Sequence, residues 1–284
     1  MLSELAKEFI MKNAQNTTIN ELCNHLQNKY SSKEIRSFCY RKGISIKKLS
    51  KSEWSALMSS RKYSSYNATK INHNYFKTWS KNMAYILGFW FADGNICKRS
   101  GGYYFEITVK QEDKYLLEDL LKEFASEHKI YDKAKEGCCH ILFSCKEFYN
   151  DIIALGGRER KSLTLTFPKI PKEYLSHFIR GYFDGDGCIY KNRYCAYLIS
   201  TKSFCESVKT ILKDNGINIS SIKQKHPERG ENNNCYTLNI FHKDEFIKFA
   251  KYLYKDVDNS CIVMSRKDMR KRLESVSQKE AFLT

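Results

Sequence analysis

Hydrophobic and polar positions follow the same order twice along the chain, before and after residue 170. In each half, apolar residues recur at helical spacing and then alternate along two short segments around a turn. This succession repeats once more and ends in a further helical stretch. The pattern therefore predicts an α+β fold with two pseudo-symmetric αββαββα halves, 76–170 and 171–284.

Individual residues are predicted to begin or end several of these elements. Asp113 is expected to cap the helix that follows it, and Cys261–Leu273 is expected to form the last helix of the second half. Gly94 and Gly187 end the first helix of each half, where a glycine commonly takes the left-handed conformation.

A decapeptide at the start of each half carries the repeat most clearly. Ile86–Asn95 and Ile179–Cys188 are both apolar runs with small residues at the third and seventh positions, followed by Asp-Gly. Small residues four apart lie on one face of a helix and allow two helix backbones to approach closely. Such packing would bring the two C-terminal ends together, and with them Asp93 and Asp186.

Two carboxylates at such a meeting point are unfavourable unless their charge is offset. The C-terminal end of a helix is itself partly negative, and the two acids repel each other. Water, a proton or a bound cation would relieve this, and a divalent metal would also supply catalytic chemistry. One motif alone is more typical of a buried helix that ends at a surface turn. Two matching motifs, one compact unit apart, favour a paired site.

The two motifs resemble those of the LAGLIDADG homing endonucleases in their single-chain form, and the resemblance covers roughly residues 75–270. The second motif is the closer match, because Phe91 in the first stands where the family often has an acidic residue. The resemblance implies a saddle of two antiparallel sheets and site-specific hydrolysis of both strands of DNA at a long target. It also implies a mobile genetic element, such as an intron or the gene itself.

The family also implies the chemistry of the site. Mg²⁺ is expected to be held by Asp93 and Asp186, with the carbonyl groups at Ala92 and Gly185 as candidate further ligands. Mn²⁺ or Ca²⁺ is expected at the same positions, Ca²⁺ without cleavage. Two basic residues resemble the active-site lysine position of the family and are expected to be catalytic: Lys161 and Lys267. An ordinary surface or phosphate-contacting lysine remains the alternative for both.

Charge supports a polyanionic partner. The formal net charge is +16 and the isoelectric point is about 9.2, a balance typical of proteins that bind nucleic acid or an anionic surface. Helices are expected to cover one face of each sheet, and the other face could enter a major groove or simply be solvated. The strands and hairpin tips supply the candidate DNA contacts: Arg99, Lys133, Lys135, Lys191, Arg193, Lys223 and Lys225.

The sequence of residues 1–45 predicts a separate module of three short helices, and residues 46–75 are interpreted as a basic linker. The helices are expected at Leu2–Lys12, Ile19–Gln27 and Lys33–Lys42, the second capped by Thr18. A basic third helix after a short second one fits a helix-turn-helix-like DNA-binding module. A plain packing module with a solvated basic face is the alternative. The basic side chains of the third helix that would contact DNA are Lys33, Arg36 and Arg41.

Eleven cysteines are present, but their spacing contains no Cys-x-x-Cys pair. The nearest approach to a zinc cluster is Cys138-Cys139-His140, whose adjacent cysteines would point to opposite faces of a strand. Reduced, mostly buried thiols are therefore expected. No signal peptide or membrane-spanning run is apparent, which favours a cytoplasmic compartment, prokaryotic or phage-like, or an organellar matrix. The protein is expected to be a monomer.

Three rival functions fit parts of this pattern. A transcription regulator or an RNA-splicing maturase on the same scaffold would bind DNA or intron RNA without cleaving DNA, yet would have no need of both aspartates. A homodimeric enzyme with one motif conflicts with the second motif. The chain ends in Phe282-Leu283-Thr284 and lacks the terminal residues of a splicing intein, so a free-standing or intron-encoded enzyme is expected.

Overall fold

A computed structural model describes residues 2–48, 50, 52–53, 70–99, 102–133, 136–230 and 233–273. The chain divides into two compact units, Met1–Ser64 and Ser65–Thr284, so the division falls within the predicted linker. Over the described residues, every helix is too short or too polar to span a bilayer.

The first unit contains the predicted three helices. They are α1 (Glu4–Asn13), α2 (Ile19–His25) and α3 (Ser32–Arg41). Thr18 caps α2 and Ser31 caps α3, each in a capping box with the glutamate three residues later. This reciprocal bonding satisfies backbone groups that a helix N-terminus leaves unpaired. The helices bury a small apolar core and confirm the predicted all-helical domain.

The second unit contains the two halves in the predicted order. The first half consists of α4 (Lys81–Asp93), β1 (Gly94–Arg99), β2 (Gly102–Lys110), α5 (Lys114–Glu123), β3 (Ile130–Lys133), β4 (Cys138–Ser144) and α6 (Lys146–Ala154). The second half consists of α7 (Leu175–Asp186), β5 (Gly187–Ile189), β6 (Ala196–Ser200), α8 (Lys202–Asp214), β7 (Ser221–Gln224), β8 (Tyr236–Ile240) and α9 (Lys243–Tyr254).

Each half forms a four-stranded antiparallel sheet, with strand order β1-β2-β4-β3 in the first and β5-β6-β8-β7 in the second. Apolar side chains alternate along the strands, as Phe105, Ile107 and Val109 do on β2, and are buried beneath the helices. The intervening residues lie on the opposite, more polar face. The α+β fold with two pseudo-symmetric halves is therefore confirmed.

The predicted helix at Cys261–Leu273 is wrong. This segment runs mostly without regular structure through a 3₁₀ turn at Ser265–Lys267, and helical geometry appears only at 270–273. The apolar spacing is met by isolated buried side chains, Ile262, Met264 and Met269. Because the segment crosses the end of α7, an open backbone lets neighbouring residues reach different partners.

The predicted left-handed conformation of Gly94 and Gly187 is also wrong. Their φ angles are −83° and −93°, with ψ of 159° at both, which is extended backbone. Each motif helix therefore passes directly into a strand without a turn. Glycine is required for space instead, because a Cβ at either position would overlap the ring of Trp90 or Phe183.

Candidate active site

The motif helices α4 and α7 pack backbone against backbone at two glycines. A Cβ on Gly88 would overlap the carbonyl of Phe178, and a Cβ on Gly181 would overlap the carbonyl of Tyr85. Backbone atoms cannot move aside as a side chain can, so both positions exclude every larger residue. The predicted close crossing of the two helices is present.

This crossing places the two motif aspartates at one seam. A Cβ on Gly185 would stand 3.1 Å from Oδ2 of Asp93, so the Asp93 carboxylate lies against the residue that precedes Asp186. Asp93 remains exposed and Asp186 is half-buried. Both carboxylates therefore combine close protein surroundings with access from solvent.

The electrostatics of the pair match the sequence argument. Burial, followed by the negative charge of Asp93, raises the pKa of Asp186 to about 6 from an ordinary value of 3.8. Desolvation by the closely packed seam also raises the pKa of Asp93, although its side chain remains exposed, while Lys267 and Lys161 oppose that rise. The folded protein thus holds two carboxylates in a place that disfavours their ionised forms.

This arrangement predicts a stability gain when Asp186 is made neutral. Because its pKa is raised on folding, Asp186 costs no stability at low pH and costs progressively more as the pH rises from about 4 through 6. Asp186→Asn should therefore raise the free energy of unfolding by about 1–2 kcal/mol at pH 8, with solvent screening allowed for. Urea denaturation without divalent metal measures this.

The same titration supplies its own control. The advantage of Asp186→Asn over the parent protein should shrink towards zero by pH 4, where the parent carboxyl is protonated. Asp214→Asn, at an exposed position on α8, should not produce this pH-dependent gain. Equal stability of Asp186→Asn and parent at pH 8 would contradict the strained pair.

Two lysines cap the C-terminal ends of the motif helices by hydrogen bonds to backbone carbonyl groups. Lys161 Nζ donates to the carbonyls of Ala92, at 3.3 Å, and of Gly94. Lys267 Nζ lies within hydrogen-bonding distance of four carbonyl oxygens, those of Phe183 (3.3 Å), Asp184 (2.6 Å), Gly185 (3.0 Å) and Gly187 (2.6 Å), which share its three N–H groups. The last carbonyls of a helix lack internal partners and carry partial negative charge, so both ammonium groups stabilise the helix ends.

The two lysines differ in access. Lys161 is half-buried, whereas Lys267 is only 8% exposed. Burial lowers the pKa of Lys267 and nearby Asp184 opposes this; for Lys161 the opposing charge is chiefly Asp186. The carbonyls of Ala92 and Gly185, which the sequence offered as metal ligands, both accept lysine hydrogen bonds. Each keeps its second lone pair.

Each aspartate borders a cavity of its own. A cavity of about 240 Å³ contains Asp186 together with Lys161. A second cavity, of about 320 Å³, contains Asp93 together with Arg266. Residues of both halves line each one, so neither cavity exists without the duplication.

Arg266 is the basic residue that the sequence argument missed. Its Nε donates to both oxygens of Asp113, at 3.0 and 2.8 Å. Asp113 is buried and makes no helix-capping bond with its side chain, so its predicted role as a cap is wrong. Arg266 precedes Lys267 directly, and only the tertiary contact shows which of the two faces the cavity.

A buried polar network also lies between the motif helices. Arg180 is completely buried, packs over the ring of Tyr85 at 4.3 Å and donates through Nη1 to the Ile262 carbonyl at 2.5 Å. The Tyr85 hydroxyl donates to Asp184 at 2.8 Å. Burial raises the pKa of Asp184 to about 6 although Arg180 lowers it. This second acid of the α7 motif is therefore part of the core.

The structure places the predicted DNA-contacting residues of the sheets on or beside their uncovered faces. Arg99 pairs with Gly102 and Lys133 with Cys138 at the outward register, and Lys223 pairs with Thr237 in the second sheet. Lys225 follows β7 directly. Strand β5 ends at Ile189, so Lys191 and Arg193 are exposed in the loop that joins β5 to β6. Lys135 lies outside the described residues.

In the first unit, the predicted basic residues of α3 are all exposed: Lys33, Arg36 and Arg41. Ile35 and Phe38 are buried on the opposite side of the same helix. Leu5 of α1 is 80% exposed, because Ala6 and Ile10 fill the core instead.

All eleven cysteines are free thiols. The expectation that most are buried is wrong, because four are buried and the other seven are half-buried. Cys138 and Cys139 do lie on opposite faces of β4, with only Cys139 in the core.

The fold and the site define a class of protein in which two α+β halves meet at paired helices and present one acid each at their shared end. Sequence comparison places the chain within a family of this class. The family described as "LAGLIDADG-like domain" matches residues 80–150 and 173–254, just over half of the chain. The protein belongs to this LAGLIDADG family.

Individual relatives are distant. The uncharacterized protein MJ0398 of Methanocaldococcus jannaschii is 24% identical over 251 residues, covering 80% of this chain and 89% of that protein. The structure of I-DmoI in complex with DNA and Ca aligns with a TM-score of 0.48 and 20% identity, over 71% of this chain and 99% of that one. The I-LtrWI LAGLIDADG homing endonuclease bound to target DNA aligns with a TM-score of 0.46 and 15% identity, over 75% and 94% of the two chains.

Proposed function

We propose that this protein is a site-specific DNA endonuclease that cleaves both strands with a divalent metal. The observation that carries the proposal is the pair Asp93 and Asp186, two solvent-accessible acids that meet at the α4–α7 seam. Partial desolvation at the seam raises the pKa of both. A protein without use for a cation gains nothing from this costly arrangement.

The donor set fits Mg²⁺. Two carboxylates and neighbouring backbone carbonyls are hard oxygen ligands, which Mg²⁺ prefers. Asp93 and Asp186 would hold the metal, with the carbonyls of Ala92 and Gly185 beside them. When bound, Mg²⁺ would supply an activated water and offset charge on the phosphodiester. Mn²⁺ would serve in the same place, and Ca²⁺ would bind without supporting cleavage.

The chain's own cations supply the remaining electrostatic help. Lys161 lies in the cavity of Asp186, and Arg266 lies in the cavity of Asp93. A fixed positive charge near each scissile phosphate would stabilise negative charge that develops during hydrolysis. The ion pair with Asp113 holds the Arg266 guanidinium in place before DNA arrives. Lys267 instead donates hydrogen bonds to the carbonyl groups at the C-terminal end of α7.

The uncovered sheet faces support recognition of double-stranded DNA. Their outward residues include Arg99, Lys133 and Lys223, which could contact base edges or phosphates in a major groove. The exposed basic residues of α3 offer a further DNA contact by the helix-turn-helix-like module at 1–45. Strong salt dependence of binding is expected from this charge.

The decisive experiment selects cleaved sequences from a randomised double-stranded DNA library. Incubation of the full chain with Mg²⁺ should enrich one long sequence, and a plasmid carrying it should be linearised with Mg²⁺ but not with EDTA. Specific binding of a selected sequence without cleavage in Mg²⁺ or Mn²⁺ would overturn the nuclease and leave a regulator.

The two cavities predict separate losses when their cations are removed. Lys161→Met and Arg266→Met should each slow one strand cut by about 100-fold, because each removes one charge-stabilising donor. A supercoiled plasmid with one target should then accumulate as the open circle before it becomes linear, and end labelling should show opposite strands for the two variants.

Two further lysine variants serve as controls for this result. Lys209→Met, at an exposed position on α8, should cut both strands at the parent rate. Of these four variants, Lys267→Met should lower the melting temperature most, because it removes the ammonium group that is hydrogen-bonded to the carbonyls at the end of α7. Identical strand preference in Lys161→Met and Arg266→Met would contradict the assignment of one cation to each cavity.

A further inference from the structure

Three different metal-ligating side chains meet outside the proposed active site. His73 Nδ1 lies 3.1 Å from Glu147 Oε2 and 3.5 Å from Cys145 Sγ. Cys145 Sγ lies 3.6 Å from the same Glu147 oxygen. An imidazole nitrogen, a thiol sulfur and a carboxylate oxygen therefore form a compact triangle.

The surrounding structure orients each of the three groups. Cys145 caps α6, where its sulfur accepts a hydrogen bond from the Phe148 N–H at 3.5 Å, and it is buried. Glu147 stands in the first turn of the same helix. His73 comes from the segment that precedes the 3₁₀ turn Tyr75–Lys77. The His73 and Glu147 side chains are 56% and 44% exposed, so the triangle is open to solvent on one side.

The triangle has the dimensions of a tetrahedral zinc site. Zinc bonds of about 2.0–2.3 Å to nitrogen, oxygen and sulfur place ligand atoms about 3.3–3.6 Å apart in a tetrahedron. The two distances to sulfur agree with this spacing, and the nitrogen–oxygen distance is only slightly shorter. Three protein ligands with an open fourth position form a complete zinc site when water occupies that position.

We propose that His73, Cys145 and Glu147 bind a divalent metal of the Zn²⁺ class, with solvent as the fourth ligand. On binding, the Cys145 sulfur loses its proton to solvent and becomes a thiolate. The mixture of sulfur, nitrogen and oxygen donors separates this site from the oxygen-only pair Asp93 and Asp186, because thiolate and imidazole favour Zn²⁺ over Mg²⁺.

The metal would tie two separate segments of the first half together. His73 belongs to the stretch that leads into α4, and the other two ligands belong to α6. Tyr75 and Phe76, just after His73, are buried in the main core. A bridge at this point would hold the entry of the chain against α6 and stabilise the packing of that core.

Cobalt binding tests the site directly. Co²⁺ added to the full chain should produce a thiolate-to-cobalt absorption band that saturates at one ion per protein and disappears when Zn²⁺ displaces it. The band should persist in Asp93→Asn/Asp186→Asn, which lacks the other carboxylate pair, and in Cys97→Ser, which removes a half-buried cysteine elsewhere.

His73→Ala and Cys145→Ser should both abolish the band. His73 is largely exposed, so its variant keeps the fold even where Cys145→Ser does not. Zn²⁺ should raise the melting temperature of the parent but not of His73→Ala. Absence of the band in the parent, or an undiminished band in His73→Ala, would show that the three side chains form only a hydrogen-bonded cluster. Neither result would bear on DNA cleavage.

Discussion

Asp93→Asn and Asp186→Asn should each abolish double-strand cleavage while the protein still binds its target DNA. Asparagine has nearly the same size but cannot supply the negative charge that holds a divalent metal. A bound metal contributes several kcal/mol of transition-state stabilisation, so cleavage should fall by about 1,000-fold or more. Single-turnover cleavage of a plasmid carrying the selected target measures the rate.

Binding provides the complementary measurement. Because the sheet faces carry the proposed DNA contacts, the affinity for the target in Ca²⁺ or in metal-free buffer should change by less than about 10-fold, or 1.4 kcal/mol. Asp214→Asn should cleave and bind like the parent protein. Full cleavage by either seam variant would remove the metal-binding role of that aspartate.

Gly181→Ala and Gly88→Ala should each destabilise the protein more than a methyl group added at any other position of the motif helices. The new Cβ would overlap the carbonyl of Tyr85 and lie 2.9 Å from the Phe89 nitrogen. The α4 and α7 backbones would have to move apart at this crossing. A loss of about 3 kcal/mol or more of unfolding free energy is expected, measured by urea denaturation.

Gly185→Ala offers a matched comparison with a different obstacle. Its new Cβ would first meet the Cβ of Ala92, which is a side-chain atom. The double variant Ala92→Gly/Gly185→Ala should therefore recover most of the stability that Gly185→Ala loses. No truncation of a neighbour can relieve Gly181→Ala, whose obstacle is backbone. Parent-like stability of Gly181→Ala would contradict the close crossing.

The seam shows how far local sequence signals reach. Small residues at Gly88, Ala92, Gly181 and Gly185 are spaced by one helical turn, and only close helix packing makes use of that spacing. The position of the two aspartates then follows from helix geometry, which is why the candidate metal site was predicted from the motifs. Periodicity likewise predicted the succession of helices and strands along the chain, since alternation of apolar residues depends only on neighbours in sequence.

The cations of the site were less predictable because their roles depend on distant partners. Ser265-Arg266-Lys267 offers two basic residues, and the sequence contains nothing that assigns Arg266 to the cavity and Lys267 to the helix end. The assignment depends on Asp113, which lies far away in sequence and pairs with Arg266 across the two halves. The triangle of His73, Cys145 and Glu147 was not predicted for the same reason, because His73 lies far in sequence from the other two residues.

Periodicity and the duplicated motif, both properties of near neighbours, were sufficient to define two αββαββα halves and the acids at their junction. Only the tertiary structure determined three other features. These are the irregular path of residues 261–273, the different contacts of Arg266 and Lys267, and the extended conformation of the glycines at the helix ends. These details follow from competition for space and charge among residues far apart in sequence, and a linear pattern carries no record of that competition.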